Sequence, residues 1–244
     1  GSTTRQNSHE RGMTHRIARS LYTLGRGTEG ANVHDVAPEI CRGQDPLGEH
    51  FMDSVSPAER RNQGATFTPP GIVELQLARI AAKCPRPARI VDAGAGTGRY
   101  AIAAARRWPQ AEVIAIEKDP ELARAVEITA AVARVRVRIV CADYTDVQLP
   151  RIDGVTAFVG NPPYLRHHDI GGKGKAWYAT TTERLGLPGN RLAGLHIYFF
   201  LKSFLLAQSG DVGSFITSAE WFDCGYGTDM RTLFGRMGGD HLIR

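Results

Sequence analysis

From residue 88 onward, short apolar runs alternate with helical stretches, and this alternation restricts the fold of the chain more than any other feature. Residues 88–92 carry a buried-strand pattern, followed by a glycine loop and an alanine-rich helical stretch over 99–107. A second strand is expected over 112–117 and a helix over 120–133, then strands over 135–141 and 155–160. An apolar helix over 192–208, a fifth strand over 213–217, a helix over 228–236 and the start of a sixth strand over 241–243 complete the pattern. Strands separated by helices cross over to parallel neighbours, and the crossing helices cover both faces of the sheet. The reading is an α/β fold of Rossmann-like form, with a central, mostly parallel sheet whose C-terminal strands are truncated. Upstream, Ile72, Val73, Leu75, Leu77, Ile80 and Ala81 are spaced for a helix over 71–82, with Thr68 as its N-cap.

The first sixty residues show little apolar period and are expected to form an N-terminal extension, mobile at its start. Short helices are expected there over 16–24 and 57–62. Hydrophobic content of 42% and charged content of 23% suit a soluble protein, and neither a membrane-length apolar run nor a signal-peptide pattern is seen. The four cysteines, Cys41, Cys84, Cys141 and Cys224, are scattered without CxxC spacing, which points to thiols in a reducing cytoplasm and to no metal site. The net charge of +5 leans toward a polyanionic partner. Arg166, Lys173, Lys175, Arg184 and Arg191 concentrate that charge in a loop expected over 165–191. The adjacent His167 and His168 are expected to face solvent.

Two motifs carry chemistry. In Asp92-Ala93-Gly94-Ala95-Gly96-Thr97-Gly98 three glycines alternate between a strand and a helix, which lets a ligand lie against the main chain. Glu117, with Lys118 beside it, closes the second strand about twenty residues later, where a carboxylate can hold both hydroxyls of a ribose. Asp143 and Tyr144 follow the third strand, with Asp143 placed to accept from the amine of a nucleobase. Each has a simpler reading: a turn for the loop, a helix cap for Asp92, a solvated strand end for either carboxylate.

The second motif is Asn161-Pro162-Pro163-Tyr164, at the end of the fourth strand. Prolines restrict their own φ and the residue before them, so the loop holds one shape. The Asn161 amide oxygen and the Pro162 carbonyl can both accept from one planar NH2 group, while Tyr164 offers a ring face to the system bearing that amine.

In this order the motifs resemble those of the N6-adenine DNA methyltransferases, most closely the γ class found in restriction–modification enzymes. In that class a Thr-Pro element precedes the glycine loop, and residues 64–70 stand in its place. The resemblance implies a class I S-adenosylmethionine-dependent methyltransferase fold, with residues 61–244 as its catalytic domain. It implies S-adenosylmethionine as cofactor, bound by Thr66, Phe67, Thr68, Pro69, Asp92, Ala93, Gly94, Gly96, Gly98, Glu117, Lys118, Asp143, Tyr144 and Asn161. Its catalytic residues would be Asn161, Pro162, Pro163 and Tyr164. Arg166, Lys173 and Lys175 would meet the phosphates of double-stranded DNA, the substrate being an adenine flipped from the duplex. The 45–48 and 56–61 segments resemble the lead-in of larger family members. Those members continue into a hairpin and a target-recognition domain, which are expected to be absent here or supplied by a partner. Transferases of a protein glutamine amide or an RNA base use the same clamp and stay open, as does a cofactor-binding fragment inactive without a specificity partner.

Overall fold

A computed structural model describes residues 33–54, 67–223 and 225–236. Five strands form one sheet, all parallel: β1 (Arg89–Ala93), β2 (Glu112–Glu117), β3 (Arg138–Cys141), β4 (Thr156–Gly160) and β5 (Val212–Phe215). Their spatial order is β3-β2-β1-β4-β5. In register, Ile90 of β1 lies between Val113 of β2 and Ala157 of β4. The direction of winding reverses between β1 and β4, so a crevice opens beyond their C-terminal ends, where ligands of such sheets bind.

The helices are α1 (Val33–Cys41), α2 (Pro46–Ser54), α3 (Pro70–Lys83), α4 (Arg99–Arg107), α5 (Pro120–Ala133), α6 (Gly172–Arg184), α7 (Leu195–Leu206) and α8 (Thr228–Arg236). One sheet face buries Ile90, Val113, Ala157 and Val159 against Leu77, Ile80, Tyr100 and Ala104 of α3 and α4. The opposite face buries Val91, Ala93, Ile114, Ile116 and Phe158 against Tyr144 and Phe199. A second layer gathers Leu165, Tyr178, Ile197, Tyr198, Leu201, Trp221 and Met230 from α6, α7, α8 and their loops. Helix α7 is apolar all round because it serves both, with Phe199 on the sheet and Ile197 and Leu201 on the second layer.

Local chemistry explains the boundaries. Asp119 caps α5 by accepting from Glu121 N–H at 2.8 Å and Leu122 N–H at 3.4 Å, with Pro120 at the first helical position. The same helix closes through Arg134 at φ 55°, and Val135 N–H bonds back to Ala130 O at 3.0 Å. That bond delays β3, expected from residue 135, until Arg138 pairs with Ile114.

Other expectations need correction. Thr68 does not cap α3: Pro69 holds the N-cap position with Pro70 following it, and the Thr68 hydroxyl serves the site described below. The segment over 165–191 is not one loop but contains a short 3-10 turn (His167–Asp169) and the thirteen residues of α6. Its buried stripe consists of Tyr178, Thr181 and Thr182, two of them threonines, so no apolar period announces the helix. His168 is exposed and lies 3.3 Å from Asp169, but His167 is half-buried, with Nδ1 enclosed and its pKa lowered chiefly by burial. Expected helices over 16–24 and 57–62, and the strand over 241–243, fall outside the described residues. So does the domain boundary expected near residue 60.

Asp92 shows how the sheet shapes the loop. Period two places it on the same side of β1 as Ile90, toward α4. There its Oδ2 accepts from Ala101 N–H at 2.9 Å, capping a helix whose own N-cap, Gly98, has no side chain to offer. Gly98 sits at φ 87°, and a Cβ on it would fall 2.8 Å from Val126 Cγ1, so both conformation and space call for glycine. Burial raises the pKa of the Asp92 carboxyl to about 7, against the pull of the Ala101 bond.

An acid whose pKa is raised on folding holds its proton more tightly in the folded state. Its contribution to stability is present in full below pH 3.8 and is lost as pH rises to about 7. At 1.36 kcal/mol per pH unit that loss is roughly 4 kcal/mol. Asp92→Asn, which cannot ionise, should flatten the decline by about that amount in urea unfolding at pH 4.5, 6 and 8; an unchanged decline would refute the assignment.

Candidate cofactor and catalytic site

The crevice at the switch point opens into a cleft that is open to solvent on one side. Gly94, Gly96, Thr97 and Arg99 form one wall; Glu117, Lys118 and Asp119 follow β2; Asp143 and Tyr144 follow β3; Asn161 and Pro163 follow β4. Phe67 and Thr68 close it from the segment before α3, and Phe199 and Leu195 from α7.

Of the residues anticipated for a cofactor, Phe67, Thr68, Gly94, Gly96, Glu117, Lys118, Asp143, Tyr144 and Asn161 line this cleft together. Pro69, Asp92, Ala93 and Gly98 are not among the residues that line it: Pro69 is the N-cap residue of α3, and Asp92, Ala93 and Gly98 belong to the end of β1 and the loop after it. Thr66 lies outside the described residues.

Glu117 occupies the centre. Its Oε2 accepts from Gly96 N–H at 2.8 Å and its Oε1 from Asp119 N–H at 2.9 Å. Burial raises its pKa, while these backbone donors oppose the rise. A carboxylate has about four acceptor positions, so hydroxyl donors can still bind beside the two amides. Asp143 is fixed by an Asx turn in which Oδ1 accepts from Thr145 N–H at 2.9 Å and Thr145 Oγ1–H at 2.6 Å. Helix α7 holds that turn from below: Lys202 Nζ donates to Thr145 O at 2.8 Å, and Tyr144 Oη and Ser203 Oγ share a bond of 2.8 Å.

The loop is narrow because aromatic rings press on it. A Cβ on Gly94 would stand 3.1 Å from Phe199 Cε1 and 3.6 Å from Pro163 Cδ, and one on Gly96 would stand 3.2 Å from Phe67 Cε1. Apolar walls of Ile116, Leu122, Ala142 and Phe199 therefore flank a row of carboxylates. The cleft thus offers carboxylate acceptors at Glu117 and Asp143 for hydroxyl or amine donors, between apolar walls, with Lys118 and Arg99 as the cations of its lining.

At the end of β4, Asn161 Nδ2 donates to Thr68 Oγ1 at 3.2 Å. Pro162 is buried, Pro163 and Tyr164 half-buried. The Tyr164 ring lies 6.5 Å from that of His196, and burial raises its phenol pKa. Beyond the clamp, Arg166 is exposed and Lys175 half-exposed. Lys173 pairs with Asp146 at 2.5 Å in the turn that carries Asp143, so a phosphate would compete with a carboxylate for it. Among the described residues, no group of three or more His, Cys, Asp or Glu side chains could hold a metal ion.

Sequence reasoning misses Arg99, Thr97, Phe199, Lys202 and Ser203, and it touches Asp45 only as part of a lead-in segment. Their signals are weak: Phe199 and Ser203 are hidden in an apolar helix, and Asp45 stands far from the glycine loop in sequence.

Residues 90–171 match the family model described as a methyltransferase domain, and residues 145–244 match that of the Eco57I restriction-modification methylases. The chain is 48% identical over 172 residues to the type II methyltransferase M.XamI of Xanthomonas campestris pv. amaranthicola, covering 70% of this chain and 32% of that protein. It is 43% identical over 88 residues to the release factor glutamine methyltransferase of Mycolicibacterium smegmatis, covering 35% of this chain and 31% of that one. It thus spans about a third of the length of these relatives. Among solved structures, a putative class I S-adenosylmethionine-dependent methyltransferase from Listeria monocytogenes superposes with a TM-score of 0.58 at 13% identity, over 87% of this chain and 63% of that one.

Glu117→Gln, which keeps one acceptor oxygen and removes the charge, should weaken S-adenosylhomocysteine binding by about tenfold in titration calorimetry. Unchanged affinity would remove Glu117 from the binding set. With this topology and this cleft, the chain has the fold of the class I S-adenosylmethionine-dependent methyltransferases, a fold whose cofactor the cleft suits, and its residues 145–244 match the model of the Eco57I restriction-modification methylases.

Proposed function

We propose that this domain transfers a methyl group to the N6 amine of an adenine turned out of double-stranded DNA. The observation that carries the reading is the clamp geometry. Asn161 stands at the C-terminal end of β4, its Nδ2 turned to Thr68, on the same cleft as the carboxylates that suit the nucleoside of the cofactor. With Nδ2 directed at Thr68, Oδ1 is the atom of the amide that can accept from a substrate amine.

The backbone supplies the second acceptor. The β4–β5 ladder ends with Ile216 N–H on Gly160 O at 3.1 Å, and among the described residues no backbone N–H donates to the Pro162 carbonyl. S-adenosylmethionine, when bound, supplies an electrophilic methyl group on sulfur. Two acceptors on one NH2 group draw its lone pair out of conjugation and aim it, so the chain contributes orientation and electrostatics. No general base is needed, since the methylated nitrogen is acidic enough to release its proton to water. Tyr164 would stack on the extruded base, and Arg166 and Lys175, with Lys173 if Asp146 yields it, would meet backbone phosphates, which orient a duplex without reading its sequence.

The 172-residue match to M.XamI, a type II methyltransferase, favours DNA. The match to a release factor glutamine methyltransferase is half as long and keeps a glutamine amide as the second candidate substrate.

The test is transfer of labelled methyl to duplex DNA, RNA and a glutamine-bearing protein, with products identified by mass spectrometry. N6-methyladenine in DNA is expected, and Asn161→Ala should lower kcat by roughly 10²- to 10³-fold. Label only in RNA or protein would overturn the substrate assignment.

A further inference from the structure

The N-terminal helices are docked on the cofactor side of the domain. Leu47 of α2 packs with Ala125 and Ile128 of α5, with Val36 of α1 and Val132 against them. At the start of α2, Asp45 is 11% exposed and fully engaged. Its Oδ1 accepts from Gly48 N–H at 2.9 Å, capping α2. Its Oδ2 accepts from Thr97 Oγ1–H at 2.5 Å and from Arg99 Nε at 2.7 Å, both on the loop-to-helix turn that follows β1.

Arg99 passes the restraint on. Its Nη1 donates to Thr68 O at 2.9 Å, and its guanidinium lies 5.1 Å from the centre of the Phe67 ring. Phe67 is also 6.2 Å from Phe51 of α2, while Thr68 Oγ1 accepts from the Asn161 amide. One carboxylate thus joins the N-terminal helices, the glycine loop, the segment that closes the cleft, and, through Thr68, the clamp.

We propose that Asp45 is a positioning residue that holds Phe67 and Thr68 closed over the end of the cleft away from Glu117 and Asp143, where the amino-acid part of S-adenosylmethionine lies. The reasoning follows from the layout. Glu117 and Asp143 are suited to ribose and base, so the remaining end, at Phe67, Thr68 and Asn161, receives the group attached to the ribose. A bare guanidinium has five donors and no preferred direction among the carbonyls around it. Asp45 fixes Nε by a charge-assisted bond and so orients Nη1 toward Thr68 O. The inference depends on the cofactor assignment but not on the identity of the methylated substrate.

The test compares two ligands by titration calorimetry on the full chain: S-adenosylhomocysteine, which has the amino-acid end, and 5′-methylthioadenosine, which lacks it. Asp45→Asn keeps the size of the side chain and an acceptor for the α2 cap, but loses the charge that orders Arg99. It should weaken S-adenosylhomocysteine by about tenfold while changing 5′-methylthioadenosine by less than about twofold. A merely structural role would weaken both alike, and that result, or no change in either, would overturn the proposal. Should Asp45→Asn fail to fold, Arg99→Lys carries the same test, since it retains a cation near Phe67 and loses the fork that reaches Thr68. Wild-type protein that binds neither ligand would overturn the cofactor assignment itself, and the inference with it.

Discussion

The turn at the end of β1 must expose its main chain to a ligand and still satisfy its buried N–H groups, and the rest of the site depends on how it does so. Gly94 and Ala95 N–H both bond to Ile116 O at 2.9 Å, and Gly96 N–H bonds to the Glu117 carboxylate. The loop is therefore pinned sideways to the end of β2, leaving its other face to the cleft. Asp92 takes a donor of α4 from behind. An unpaired buried N–H is destabilising by roughly 1–3 kcal/mol, so two carboxylates buried near one another are tolerated where several such donors converge. Burial raises both pKa values, and the backbone donors oppose the rise.

The second layer acts on the site through α7. One face of this helix contributes Phe199 to the cleft and fastens the turn after β3 through Lys202 and Ser203. The other face joins the aromatic stack in which the Tyr178 and Tyr198 rings lie 4.6 Å apart. Below them Asp229, fully buried, accepts from Tyr178 Oη–H and from Gly189 and Asn190 N–H, the latter two at 3.1 Å. Leu195 N–H then bonds to Leu165 O at 2.9 Å, just past Tyr164. The chain after the clamp is held by the same helix that supports the turn carrying Asp143, so the two ends of the cleft share one support.

Periodicity makes most of the sheet legible in the sequence. The strand over 112–117 and the helices over 99–107, 120–133 and 228–236 have the bounds expected of them, because proline, Asp119 and charged ends punctuate clear apolar patterns. Helix α6 is not legible, since threonines and glycines occupy the positions where an apolar stripe would have marked it. Within the cleft, the residues at strand ends can be read because motif and strand coincide. Asp45 cannot, since its role arises only when a segment some fifty residues upstream folds against the glycine loop. Asp92 has two readings in the sequence, cofactor residue and helix cap, and its bond to Ala101 N–H fulfils the second.

The clamp also explains why substrate class is harder to read than chemistry. Two acceptors and a ring face specify a planar NH2 group, and adenine and a glutamine amide both present one. Discrimination between a nucleobase and a peptide must therefore come from surfaces that meet the rest of the substrate. On the proposed reading those surfaces include the segment after the clamp, with Arg166, Lys173 and Lys175, and Arg191 exposed on the loop that returns to α7. A peptide carrying a glutamine needs no such charge, whereas a duplex presents a phosphate about every 1.7 Å of its axis. The cations of the segment that follows a chemically indifferent clamp are thus the physical argument behind the proposed nucleic-acid substrate, and one of them, Lys173, is already paired with Asp146 in the turn that carries Asp143.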